Sequence, residues 1–161
     1  MRPLLTLLAC LLLASPAFSQ SLFVGVGADS IGEGDDDDAE LLLSLEYRAI
    51  PIFALGRVGF EPIVTGEVDA EGDVFVGAGL LARAPIGNPV TVTLSVAPGY
   101  YNEGDGQDLG GPFEIRSQIG LAYRFVSGNE ISIAYQHKSN AGIYDENPGV
   151  DSVLVSYGFG F

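Results

Sequence analysis

The chain has 161 residues, of which 21 are acidic and seven basic, giving a formal charge of −14. So strong an acidic excess argues against nucleic acid as a partner, because polyanions are held by basic surfaces that release counterions. One histidine and one cysteine are too few ligands for a zinc site, no other metal site is expected, and no nucleotide or haem motif occurs, so no cofactor is expected.

Residues 1–19 read as a secretory signal rather than as part of the fold. Arg2 supplies a positive start, Leu4 to Ala14 form an apolar run too short to span a bilayer, and Ala17-Phe18-Ser19 carries small residues before a cleavage point after Ser19. Acylation of Cys10 is the alternative, with very little apolar sequence before it. The mature chain, Gln20 to Phe161, is expected to be a single domain. It holds no cysteine, which removes disulfides and thiol chemistry, and no apolar stretch of about 20 residues, which removes a membrane-spanning helix. Mean hydropathy is nevertheless positive. The two properties are compatible if charge and apolar surface are kept in different places.

Eight segments alternate with a period of two: about 22–28, 40–49, 57–67, 73–83, 90–100, 112–125, 129–139 and 150–161. Stretches rich in Gly, Pro, Asn and Asp separate them, and none shows a capped helical period, so an all-β chain is expected. Leu41, Leu43, Leu45 and Tyr47 alternate with Leu42, Ser44, Glu46 and Arg48. Val90, Val92, Leu94 and Val96 alternate with Thr91, Thr93, Ser95 and Ala97. A soluble barrel would turn the apolar set inward, and a membrane barrel does the reverse. The connections alternate in length, and Phe161 continues the apolar face in a way that resembles the terminal aromatic of bacterial outer-membrane barrels. The expected fold is an eight-stranded antiparallel transmembrane β-barrel of the outer membrane.

Connections 28–40, 67–73, 101–111 and 140–149 are mostly long and hold sixteen of the 21 acidic residues at or within their edges, including Asp35 to Asp38. Those at 84–89 and 126–128 are short, which assigns them to the periplasm and the acidic loops to the outside. The Asp run lacks the Gly and Glu spacing of an ordered calcium loop, so a solvated loop is expected. Glu46, Arg48, Glu61, Glu114, Arg116 and Arg124 carry lumen parity. In a barrel this narrow they should pair as a plug, not line a pore.

The last thirty residues are chemically unusual. Ile131, Ile133, Tyr135, His137 and Ser139 share one face of a strand, as do Asp151, Val153, Val155, Tyr157, Phe159 and Phe161 in the next. His137, Ser139 and Asp151 thus fall on the apolar, lipid-facing side, where polar groups are expensive. Ser139 and Asp151 are expected near each other across the hairpin, with His137 one same-face step below and Asp151 its diagonal neighbour. Ser139 suits a nucleophile, His137 a general base and Asp151 the acid that orients the imidazole. The competing reading is a lone interfacial histidine beside ordinary turn residues.

The stretch His137-Lys138-Ser139-Asn140-Ala141-Gly142, with Asn147-Pro148-Gly149 after it, resembles the outer-membrane lipid A 3-O-deacylases, the acyloxyacyl-hydrolase-like barrels. The resemblance implies a serine esterase acting on lipopolysaccharide in the outer leaflet. It would remove the 3-O-linked 3-hydroxyacyl chain of lipid A with Ser139, His137 and an acid at Asp151, where the family carries glutamate. Asn140, Gly142 and Asn147, with the backbone between the first two, are the candidate oxyanion donors. A non-catalytic barrel, adhesin or structural, whose acidic loops are the functional part stays open, as does a soluble periplasmic barrel enclosing a lipid. The oligomeric state, homodimer included, is not set by these residues.

Overall fold

The computed structural model describes residues 20–29 and 39–161; the signal expected over residues 1–19 and the run Asp35 to Asp38 lie outside the described residues. Strands cover Ser21–Asp29 (β1), Glu40–Arg48 (β2), Phe53–Leu55 (β3), Val58–Asp69 (β4), Val74–Gly87 (β5), Val90–Asn102 (β6), Phe113–Arg124 (β7), Glu130–Ser139 (β8) and Val150–Gly160 (β9). Neighbours along the chain pair antiparallel except β2 and β3; β1 also pairs with β9, and β2 pairs with β4, which closes the sheet. Eight long strands form the barrel, each within a few residues of its expected bounds.

The ninth strand, β3, departs from the sequence reading, which leaves 49–56 as an apolar connection. Past Arg48 the chain keeps running beside β4: Ala49 N donates to Pro62 O at 2.9 Å and Ile52 N to Phe60 O at 2.9 Å, and β3 then pairs with Phe60 to Val58. Pro51 has no N–H to give and interrupts the ladder between these bonds, so local alternation fails there.

Alternation elsewhere has the sense a membrane wall requires. Leu41, Leu43 and Leu45 are exposed, whereas Leu42 and Glu46, of the opposite parity, are buried. Leu94 and Val96 are exposed, while Thr93, Ser95 and Ala97 are buried. A band of Tyr123, Phe125, Tyr157 and Phe159, in edge and tilted ring contacts, lies toward the end with the short turns. Apolar side chains outside and charges inside is the arrangement of a barrel solvated by lipid.

The lumen charges join into two networks. Arg116 reaches Glu46, Glu67 at 3.0 Å and Thr65 at 2.9 Å, while Glu46 also binds Arg48 at 2.7 Å. Lys138 continues this network to Glu67 at 3.4 Å and Asp29 at 3.2 Å, and so ties β8 to β4 and β1 across the barrel. Toward the short-turn end, Arg83 joins Glu61 at 2.8 Å and Glu130 at 2.9 Å, and Arg124 also reaches Glu130. Each network spans strands that are distant in sequence, so it secures closure and register together. Buried charges are tolerable here because they are paired and hydrogen-bonded. Glu114 is an exception: it is buried with neither carboxylate oxygen hydrogen-bonded.

Loops close the other end. Asp73 accepts hydrogen bonds from Gly104 N at 2.7 Å and Gly106 N at 3.3 Å and also holds the Tyr101 hydroxyl, which fixes the β6–β7 loop over the mouth. Phe75, Tyr101, Leu109 and Val150 form an apolar cluster beneath it.

Candidate active site

The β8–β9 hairpin carries the three expected residues at its outer end. The register sets His137 directly against Asp151, with Lys138 against Val150. This corrects the diagonal arrangement expected from the loop length. The ten-residue connection does not carry the strands' pairing up to Ser139, so the acid faces the histidine and not the serine. Directly opposed side chains are the closest in a sheet. His137 Nδ1 lies 2.7 Å from Asp151 Oδ1, so the shorter arm of aspartate spans the gap.

An ionised carboxylate only accepts hydrogen bonds, so this contact assigns the proton to Nδ1 and leaves the Nε2 lone pair free. The His137 and Asp151 side chains are 45% and 32% exposed, open toward the lipid side. Ser139 is the last residue of β8, two positions beyond His137 on the same face, a spacing of about 6.6 Å between Cα atoms. Among the described residues no hydrogen bond joins Ser139 to His137. The structure thus brings His137 and Asp151 into contact and places the serine beside them, one strand repeat away.

Asn140 begins a tight turn and is buried. Its carbonyl accepts Ile143 N at 3.1 Å, with Ala141 and Gly142 at φ of 55° and 77°, a pair of left-handed residues as in a type I′ turn. Left-handed backbone is uncommon for alanine, so the rest of the loop must hold it there. The Asn140 amide does so: it donates to Leu109 O at 2.8 Å and Glu146 O at 2.7 Å, and its oxygen accepts Gly142 N at 2.9 Å. Asn140 N in turn donates to Asn147 Oδ1 at 2.9 Å. The donors of Asn140 and Gly142 are therefore engaged in building the loop. Of the expected oxyanion donors, the Ala141 N–H and the Asn147 side-chain NH2 have no hydrogen-bond partner among the described residues.

Two contributors are not among the site residues expected from the sequence. Gly149, at φ 75°, passes so close to the imidazole that a Cβ there would lie 2.8 Å from His137 Cε1 and 3.2 Å from Nε2. Only a residue without a side chain lets the loop return over the ring in that conformation. Lys138, the inward-facing residue between His137 and Ser139, anchors the strand from behind through Asp29 and Glu67. Its inward parity was readable, but its partners on β1 and β4 required the closed barrel.

Outside the wall, a groove of about 580 Å³ begins at His137 and Tyr135 and crosses Ile119, Val96, Leu94 and Leu80. Its lining is almost wholly apolar.

Comparison with known proteins places these features. A family model described as lipid A 3-O-deacylase (PagL) matches residues 67–160. Lipid A deacylase PagL of Bordetella bronchiseptica is 40% identical over 53 residues, which cover 33% of this chain and 30% of that protein. The matched stretch thus spans about a third of the relative's length. Among solved structures, the outer membrane enzyme PagL superposes with a TM-score of 0.67 at 16% identity, over 88% of this chain and 99% of the other. A de novo designed transmembrane β-barrel superposes at 0.58 with 12% identity, over 89% and 95%. Neisserial surface protein A reaches 0.51 with 12% identity, over 88% and 94%. The designed barrel and the surface protein share the architecture as well, so the architecture alone does not carry the chemistry.

Proposed function

The chain belongs to the lipid A 3-O-deacylase family, an outer-membrane barrel family, and on that premise we propose that it is a serine esterase acting on lipid A in the outer leaflet. The observation that carries the reading is the 2.7 Å contact between His137 and Asp151 on the lipid-facing surface, with Ser139 next along the same face.

In the mechanism, His137 Nε2 takes the proton of Ser139 Oγ as the oxygen attacks the ester carbonyl carbon. Asp151 holds the Nδ1 proton and stabilises the imidazolium that forms. The tetrahedral oxyanion is met by the free donors of the loop, Ala141 N–H and the Asn147 amide. Collapse breaks the bond to the sugar oxygen, which receives the proton from Nε2. Water, activated by the same histidine, then releases the acyl group from Ser139.

The substrate's location explains the site's location. A lipid-anchored ester cannot enter a lumen filled by Arg116, Lys138 and Glu67, but it can present its head at the outer rim. The groove below His137 gives the acyl chain an apolar path along the wall. Every residue invoked lies in one chain, so the chemistry requires no second copy.

The test is mass spectrometry of lipid A from an outer-membrane-bearing host with and without the protein. The expected result is loss of one 3-hydroxyacyl chain from lipid A and its appearance as free 3-hydroxy fatty acid. An unchanged spectrum with the folded barrel present would leave the non-catalytic surface barrel as the better account.

A further inference from the structure

The outer wall of the barrel is apolar except around the site and at one position more. Leaving aside tyrosines and Asn102 at the outer end of β6, the outward-facing positions of the eight long strands carry four polar side chains: His137, Ser139, Asp151 and Ser117. The first three make up the site, and Ser117 of β7 has no part in the mechanism above. It is exposed between Ile115 and Ile119, and its hydroxyl has no hydrogen-bond partner among the described residues. A hydroxyl without a partner on a lipid-facing wall adds nothing to the stability of the fold.

Register puts this serine beside the histidine. Ser117 directly opposes His137 on the side away from Asp151, so Asp151, His137, Ser117, Val96 and Leu80 follow one another across five strands as directly opposed pairs. The groove of about 580 Å³ follows the same row, and Ser117 is its first residue beyond the imidazole. Ser95 and Gln118 also line it, but their side chains have inward parity and the Ser95 hydroxyl donates to Gln118 Oε1 at 3.5 Å. The Ser117 hydroxyl therefore stands unengaged at the head of an apolar path, next to the reacting centre.

Taking the esterase reading of this site as the basis, we propose that Ser117 hydrogen-bonds the 3-hydroxyl of the acyl chain being removed, and so selects a 3-hydroxyacyl ester over a plain acyl ester. The spacing fits. Ser139 opposes Ile115, which makes Ser117 its diagonal neighbour at roughly 7–8 Å. An attacking oxygen stands about 3 Å from the carbonyl carbon, and two hydroxyls bond at about 2.8 Å. The two carbons between the ester carbonyl and the 3-hydroxyl fill the rest of that diagonal. Beyond it the chain runs on over Val96 and Leu80. Apolar walls alone discriminate poorly between a chain with a hydroxyl and one without, whereas a polar group placed to bond that hydroxyl does so.

The experiment gives the purified full chain, in detergent micelles, two synthetic lipid A substrates in competition. They are identical except that the 3-O-linked chain is 3-hydroxyacyl in one and plain acyl of the same length in the other. Released fatty acids are counted by mass spectrometry. Wild type is expected to favour the 3-hydroxyacyl substrate about tenfold in kcat/KM, the size of one hydrogen bond. Ser117→Ala should bring the ratio near parity, chiefly by loss on the 3-hydroxyacyl substrate, and Ser117→Thr, which keeps a hydroxyl, should retain part of the preference. A merely structural serine would lower both rates together and leave their ratio unmoved. Equal rates on the two substrates in wild type, an undiminished preference in Ser117→Ala, or an equal loss on both would overturn the assignment while leaving the esterase reading in place. Release of neither chain by wild type would remove that reading and this assignment with it.

Discussion

On its inner face, β8 buries Gln136 and Lys138, one bonded to Glu67 and Ser152 and the other to Glu67 and Asp29. On its outer face the same strand presents Tyr135, His137 and Ser139 toward lipid. Both faces carry polar groups in places where polarity is costly. Inside, the charged end of Lys138 is divided between two carboxylates on other strands, and its evident work is to hold the barrel closed. Outside, among the described residues, His137 has one side-chain partner and one nitrogen to spare, beside a Ser139 hydroxyl with no hydrogen bond. A buried charge met by two carboxylates, as at Lys138, is structural. A polar group facing lipid with unused capacity fits the reaction proposed for it.

The largest effect should come from the outer face. Ser139→Ala and His137→Ala should each lower deacylation by about 10⁴- to 10⁶-fold. Heat-modifiable migration on a gel should persist, showing an intact barrel. Substantial activity in either variant would remove the comparison's premise that this face is the reactive one.

Asp151→Asn should follow, at about 10⁴-fold, because an amide can stabilise the wrong imidazole tautomer and cannot balance an imidazolium. Asp151→Glu sharpens the point. It should be milder than Asn, since charge is kept and only the 2.7 Å fit is disturbed. Equal rates for Asn and wild type would reduce Asp151 to a turn residue.

The inner face should answer differently. Lys138→Met leaves Asp29 and Glu67 short of a counter-charge and should cost about 3–5 kcal/mol of stability. Urea-induced unfolding in lipid would read it as a lowered midpoint. Activity per folded barrel should change far less than in the outer-face variants. A collapse of activity in barrels that remain folded would show that the two faces are one machine.

The legible and illegible parts of this protein divide along the range of the forces involved. Side-chain alternation is a property of a single strand, so the eight strands, their lumen parity and the lipid-facing position of His137 and Ser139 could all be read from neighbours two residues apart. Register is a property of two strands and the loop that joins them. The direct opposition of His137 and Asp151, in place of a diagonal one, emerged only once β8 and β9 were paired.

The loop shows the same division. His-x-Ser-Asn-Ala-Gly marked Asn140 and Gly142 as possible donors, but the folded loop engages them: Leu109 and Glu146 take the Asn140 side-chain amide, Asn147 takes its N–H, and the Asn140 oxygen takes Gly142 N. The closeness of Gly149 to the imidazole likewise exists only in the folded loop.

By itself, then, the sequence determined an all-β chain with an apolar exterior, a charged interior and a polar triplet on the lipid side. Tertiary structure decided the closure through β2 and β4, the partners of Lys138, the extra strand β3 and the contact that joins histidine to acid. The physical reason is that the pleat repeats every two residues wherever it occurs, whereas pairing and burial depend on chain that lies far away in sequence.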